Sequence, residues 1–181
     1  MDDEEARSRL LDAAEALFYA EGIQAVGMDR IRAESGVPLK RLYRLFPAKD
    51  ALVAAYLERR DRRWIAGLRE AVTAAPVPAL AVFDWLADWF SEPDFRGCAF
   101  LNAYGELGAG PAAVLDVVRR HKTELRALLT GISPAPELAE QLLILVEGAT
   151  VVAALDPGPA PALRARAAAE QLLRAGGHTN G

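Results

Sequence analysis

An all-α fold is predicted for this 181-residue chain by three features of its sequence. Apolar residues recur at helical spacing, as in Leu10, Ala14 and Leu17, or Leu11, Ala14 and Phe18. No stretch alternates apolar and polar residues as a half-buried strand does, and no internal repeat or low-complexity segment interrupts the pattern. Proline and glycine punctuate the chain at Gly22, Gly36, Pro47, 76–78, 92–94, 133–136 and 156–159, cutting it into helix-length pieces.

The first helix carries its apolar stripe opposite Glu15 and Glu21, and Gly22 follows where a helix C-cap favours glycine. A second helix spans 28–35, buries Ile31 and stops at Gly36. Pro38 suits a first helical position, whose N–H has no partner in any case, so the third helix opens there. Leu42 and Leu45 or Phe46 face inward on it, and Pro47 ends it. Lys49 and Asp50 then lie in the opening turn of a long fourth helix over 48–74. Five more follow at 79–91, 97–107, 111–130, 137–155 and 161–175, and the tail 176–181 is expected to be disordered.

The turn Glu34-Ser35-Gly36-Val37 is short, contains glycine and joins two short helices, which is the pattern of a helix-turn-helix. Lys40, Arg41 and Arg44 share one face of the third helix, opposite Leu42 and Leu45, so burying the apolar side points the cations outward. Arg30 and Arg32 on the second helix and Lys49 after the third extend this positive surface, which suits phosphate neutralisation with counterion release.

These residues in this order resemble the DNA-binding domain of the TetR family of transcriptional regulators. The similarity is carried by LLDAAEALFYAEG at 10–22, Ile31, Ser35-Gly36-Val37, LYRLF at 42–46 and Lys49-Asp50-Ala51-Leu52, and it covers about the first quarter of the chain. The resemblance implies nine helices, a homodimer, and a C-terminal domain whose ligand or partner controls DNA binding. It places Lys40, Arg41, Tyr43 and Arg44 in the major groove, with Pro38 and Leu39 at the start of that helix and Arg30 and Lys49 on phosphates. The expected domains are 1–47 for DNA binding and 48–175 for ligand binding and dimerisation. The sequence departs from the family pattern at Met28, where Thr is common, at Arg32, where Ala follows the isoleucine, at Pro38, where Ser or Thr begins the helix, and at Leu45.

Charge runs against a DNA-binding reading at first sight, because the chain carries a net −4 with a pI near 5.3. Distribution answers it: Asp2, Asp3, Glu4, Glu5, Asp12, Glu15 and Glu21 all precede the turn, whereas cations cluster from Arg30 to Lys49. Local potential governs docking. Hydrophobic residues make up 52%, yet no uninterrupted apolar run reaches the ~20 residues of a membrane span, Glu147 and Gly148 breaking the longest. No membrane partner is therefore expected. The acidic start is unlike a signal peptide, and the single Cys98 excludes an intrachain disulfide, so a cytoplasmic location is expected.

Further along, Arg59, Arg60, Arg62 and Arg63 read as a solvated helix face, ~15 Å beyond Lys49. Leu138, Leu142, Leu145, Ala149 and Val152 repeat along one side of the eighth helix, in an apolar arc wider than a surface helix needs. Such an arc is either buried twice within the subunit or shared across a two-fold axis, and the resemblance favours the dimer interface. Trp85, Trp89, Phe100 and Tyr104, with the polar Asn102, Glu106, His121 and Glu147, are candidates to line a pocket for a hydrophobic or planar ligand; each aromatic singly reads as core. Cys98 reads as a small buried apolar residue.

No catalytic residue, metal site or cofactor is expected. The two histidines, His121 and His178, and Cys98 give no zinc-ligand spacing, and no Gly-rich phosphate loop or Gly-x-Ser-x-Gly elbow occurs. The expected function is a ligand-responsive dimeric regulator of a palindromic operator, a repressor released by a small hydrophobic ligand. The alternative is an all-α small-molecule-binding or interaction protein whose DNA-reading head is weak or unused.

Overall fold

The computed structural model describes residues 1–108 and 110–177. Among the described residues there are nine α-helices and no strands: α1 (Asp3–Glu21), α2 (Met28–Ser35), α3 (Leu39–Leu45), α4 (Lys49–Thr73), α5 (Pro78–Phe90), α6 (Ala99–Leu107), α7 (Ala112–Ile132), α8 (Pro136–Leu155) and α9 (Ala160–Gly177). α1 starts ahead of its apolar stripe because the Asp2 carboxylate accepts the Glu5 N–H at 2.8 Å, and Asp3, Glu4 and Glu5 complement the positive end of the helix. Pro38 is the N-cap of α3 and not its first helical residue: its ψ is 141°, and its carbonyl accepts the N–H groups of Arg41 and Leu42 at 2.9 and 3.0 Å. α9 runs through Gly177, so Gly176 and Gly177 are helical where a disordered tail was expected; the rest of that tail, with His178, lies outside the described residues.

The chain divides into two compact units, one of Met1–Arg62 with Ala99–His121 and the other of Arg63–Cys98 with Lys122–Gly181. These units are divided by packing, whereas the boundary expected at 47/48 is one of role. The first part of α4 stays with the head because it is fastened to α1: Phe18 and Tyr56 lie 5.9 Å apart between ring centroids, and Arg59 reaches Asp12 at 2.7 Å and Glu15 at 3.0 Å. Arg60 reaches Glu15 at 3.0 Å and lies 3.9 Å over the Tyr19 ring. Arg59 and Arg60 are 18% and 15% exposed, so the solvated face expected of them is corrected to an ion-pair network against α1. Arg62 and Arg63 are exposed, as expected.

In the first unit α1, α2 and α3 pack on one another, burying Leu10, Ala14, Phe18, Ile31, Val37, Leu42 and Phe46. Leu42 and Phe46 are the inward residues of the third segment, and Leu45 is only half-buried. The residues of α6 and α7 in this unit are held by a buried pair, His121 Nδ1 with Asp61 Oδ1 at 2.7 Å, and by Arg120 with Glu58 at 3.0 Å.

In the second unit α5, α8 and α9 pack around Leu68, Phe83, Leu86, Phe90, Leu129 and Leu142. α8 is long and apolar enough to cross a membrane by length and composition alone, which corrects the expectation that no segment was. Glu147 and Gly148 interrupt its apolar run but are too few to offset the Leu, Val and Ala around them. Leu138, Leu142 and Ala149, expected at an interface, are buried in this unit's own core, and Leu145 is half-buried against it. Val152 is exposed, together with Ile144 at 71%, Val151 and Leu155 at 86% on α8, and Leu163 on α9.

Candidate nucleic-acid interface

The head is shaped by backbone geometry first. Gly36 ends α2 in the left-handed region at φ 66°, where a side chain would be strained, and its N–H reaches the Arg32 carbonyl at 3.1 Å. Ser35 Oγ donates to the same carbonyl and accepts the Val37 N–H, each at 3.3 Å. The chain thus reverses in three residues, and Val37 and Leu42 seat α3 by burial.

Seating Leu42 and Phe46 turns Leu39, Lys40, Tyr43 and Arg44 to solvent, with Leu39 at 44% and Tyr43 at 46%. Tyr43 is therefore outward, the placement required of a residue that enters a groove. Lys40 has no hydrogen bond or ion pair among the described residues. Arg41 is turned back toward the chain start: its Nη1 donates to the Met1 carbonyl at 2.8 Å, and its Nε lies 3.7 Å from Asp3. Arg44 donates to the same Asp3 carboxylate. Arg30 pairs with Glu21 through both guanidinium nitrogens, the Nη2 contact at 2.6 Å. Arg32, at a position usually held by alanine in the family pattern, points outward and lies 3.9 Å from Asp29. Lys49 sits half-buried over the Phe18 ring at 5.8 Å.

Sequence reasoning missed the acids. Asp3 and Glu21, which the sequence shows only as charges ahead of the turn and on the polar face of the first helix, contact three of the expected cations. Nothing local signals those contacts; the only hint is that they lie near the two ends of α1. Glu106 on α6, expected as a polar pocket candidate, is instead bound to the head: its carboxylate accepts the N–H groups of Ile23 and Gln24 at 3.0 and 2.8 Å. Gly22, with φ 93°, permits that approach: a Cβ there would meet Glu106 Oε2 at 3.1 Å.

The pocket candidates are not gathered as expected. Trp85 and Trp89 lie in the second unit with Trp64, making edge-to-face contacts with it at centroid distances of 4.9 and 5.6 Å. Trp89 also meets Phe95 at 5.0 Å, so these rings fill one another's space as core. Phe100 and His121 belong to the first unit, stacked at 3.7 Å and buried. Asn102 and Tyr104 are exposed on α6, and Glu147 is paired with Lys122 at 2.6 Å. Cys98 is buried, 3.6 Å from the Lys122 Nζ. A surface hollow of about 490 Å³, lined by Ala66, Arg69, Glu70, Thr73 and Ala74, contains none of these candidates.

Comparison with known proteins bears on the same segment. The model of bacterial regulatory proteins of the tetR family matches residues 10–56. An uncharacterized HTH-type transcriptional regulator of Mycobacterium tuberculosis is 42% identical over 58 residues, which cover 32% of this chain and 29% of that protein. The HTH-type transcriptional activator FasR of Mycolicibacterium smegmatis is 38% identical over 69 residues, covering 38% and 32%. The chain thus spans only about a third of the length of the curated relatives it matches. A crystal structure of a TetR-family transcriptional regulator from Streptomyces coelicolor matches throughout, at 36% identity and a TM-score of 0.84, covering 94% of this chain and 89% of that one.

Proposed function

The chain belongs to the TetR family of transcriptional regulators, DNA-binding proteins with a helix-turn-helix, and on that premise we propose that it is a homodimeric, ligand-responsive repressor of a palindromic operator. The observation that carries the reading is the outward row Leu39, Lys40, Tyr43 and Arg44 on α3, backed by the buried Leu42. A helix anchored on one side and bearing a cation and an aromatic on the other suits the major groove, with Pro38 and Leu39 leading it in. Arg30 and Lys49 flank it on phosphates, and Arg41 and Arg44, which reach back to Met1 and Asp3, join them there rather than in the groove first expected of them.

Pairing is assigned to the exposed apolar residues of α8 and α9, Ile144, Val151, Val152, Leu155 and Leu163, against the same face of a second copy. Two heads ~34–36 Å apart then read the two halves of the operator. The effector is a small hydrophobic molecule that binds one spacing of the heads better than the other, since only differential affinity shifts the population. A DNA target and a free cysteine suit the cytoplasm.

One observation favours the second reading, a small-molecule-binding or interaction protein with an unused head: carboxylates already occupy Arg30, Arg41 and Arg44. Fluorescence anisotropy with DNA from upstream of the gene, against scrambled DNA and across a salt series, separates the two. Preferential binding that falls steeply with salt and saturates at one dimer per site is expected. Equal, feeble binding to both duplexes means either an operator elsewhere in the genome or an unused head, which selection from genomic DNA separates.

A further inference from the structure

We propose that Asp3 and Glu21 are affinity-setting residues of the head, holding Arg41, Arg44 and Arg30 as internal counter-ions that DNA phosphates must displace. The inference rests on the regulator reading only in taking α3 as the helix that meets DNA. Three of the expected cations are paired with carboxylates of α1. Asp3 reaches Arg44 and Arg41, and the Met1 carbonyl takes another Arg41 donor. Glu21 holds Arg30 in a two-point clasp, the geometry in which a guanidinium also grips a phosphate.

Magnitudes decide what such pairs can do. Asp3 and Arg44 are 56% and 58% exposed, and Arg30 is 55% exposed. Each exposed pair weakens a competing contact by no more than about five-fold. The acids therefore cannot lock the head shut. They lower its local positive potential, so that binding exchanges a carboxylate for a phosphate at each arginine. Phosphate contacts carry no sequence information, so operator and random DNA are both held back by a similar factor. The acidic net charge of the chain and a DNA-reading role are then compatible: two of its acids are built into the interface as a restraint on sequence-independent binding.

The test uses the full chain with Asp3→Asn and Glu21→Gln together, and Glu4→Gln as control. Glu4 is exposed in the same first turn as Asp3 and has no ion pair among the described residues, so its substitution removes a negative charge without freeing an arginine. Affinity for a selected operator and for a random duplex of about three helical turns is measured by anisotropy against salt. The double variant is expected to tighten binding to both duplexes about ten-fold and to steepen the salt slope by about two, near one per carboxylate removed. Glu4→Gln is expected to change affinity less than two-fold. Weaker binding by the double variant, with its helical melting intact, would mean that the acids pose the arginines for DNA, and would overturn the proposal. So would an unchanged slope, or a Glu4→Gln effect equal to that of Asp3→Asn alone. Wild-type protein without operator preference, but with the variant tightening on both duplexes, sinks the regulator reading and leaves this one. Operator preference in the wild type with no change in the variant does the reverse, and no binding by either protein removes both.

Discussion

Glu106 and Gln24 hold each other twice: the Gln24 N–H donates to Glu106 Oε2 at 2.8 Å, and the Gln24 side-chain amide donates back to the Glu106 carbonyl. Oε1 of the same carboxylate takes the Ile23 N–H at 3.0 Å, so one residue of α6 satisfies two donors just past the end of α1. These bonds fix the chain where α1 hands over to α2, and Gly22 leaves the room they need.

Glu106→Ala should lower stability by about 2 kcal/mol, since hydrogen bonds to a charged acceptor are the stronger kind. Urea unfolding followed by circular dichroism measures this, and amide exchange should quicken first at Ile23 and Gln24. A loss under about 0.5 kcal/mol would show that solvent replaces the carboxylate at no cost.

The His121–Asp61 pair makes a larger demand. Both side chains are almost fully buried, and the imidazole also stacks on Phe100. His121→Ala removes the ring and leaves the Asp61 carboxylate without that partner, so a loss of about 3 kcal/mol is expected in the same unfolding experiment. A loss below about 1 kcal/mol would mean that Asp61 finds another partner or water at that position.

The helices were readable because their signals are local. Leu42 and Phe46 sit one turn apart and are both buried, and the Ser35-Gly36-Val37 turn carries its conformation in its residue types. Pro38 was misplaced by one position because proline suits both the N-cap and the first turn. The head's ion pairs were not readable. Asp3 and Arg44 are 41 residues apart, Glu21 and Arg30 are 9 apart, and no periodicity links them. α8 failed for another reason. It is apolar nearly all round, so spacing could not say whether Leu142 or Ile144 faces the subunit's own core. Packing against α5 and α9 decides it, burying Leu142 and leaving Ile144 outside.

That exposed face yields the third prediction. Ile144→Asp or Leu155→Asp places a charge where a second copy would desolvate it, while the subunit's own core is untouched. The wild-type protein should sediment at twice its 19.5 kDa chain mass and each variant as a monomer, with unchanged helicity. Dimeric variants would place the pairing surface elsewhere.

The central claim is that the outward row of α3 reads DNA. The direct measurement is operator affinity of Lys40→Ala with Tyr43→Ala, two exposed residues whose removal leaves Leu42 and Phe46 seated. With sedimentation and melting unchanged, affinity for the operator should fall at least about 100-fold, and affinity for random DNA by about ten-fold or less, since base contacts carry the specificity. Operator binding at wild-type affinity by that folded, dimeric variant would contradict the account, because no part of it then requires α3 in the groove.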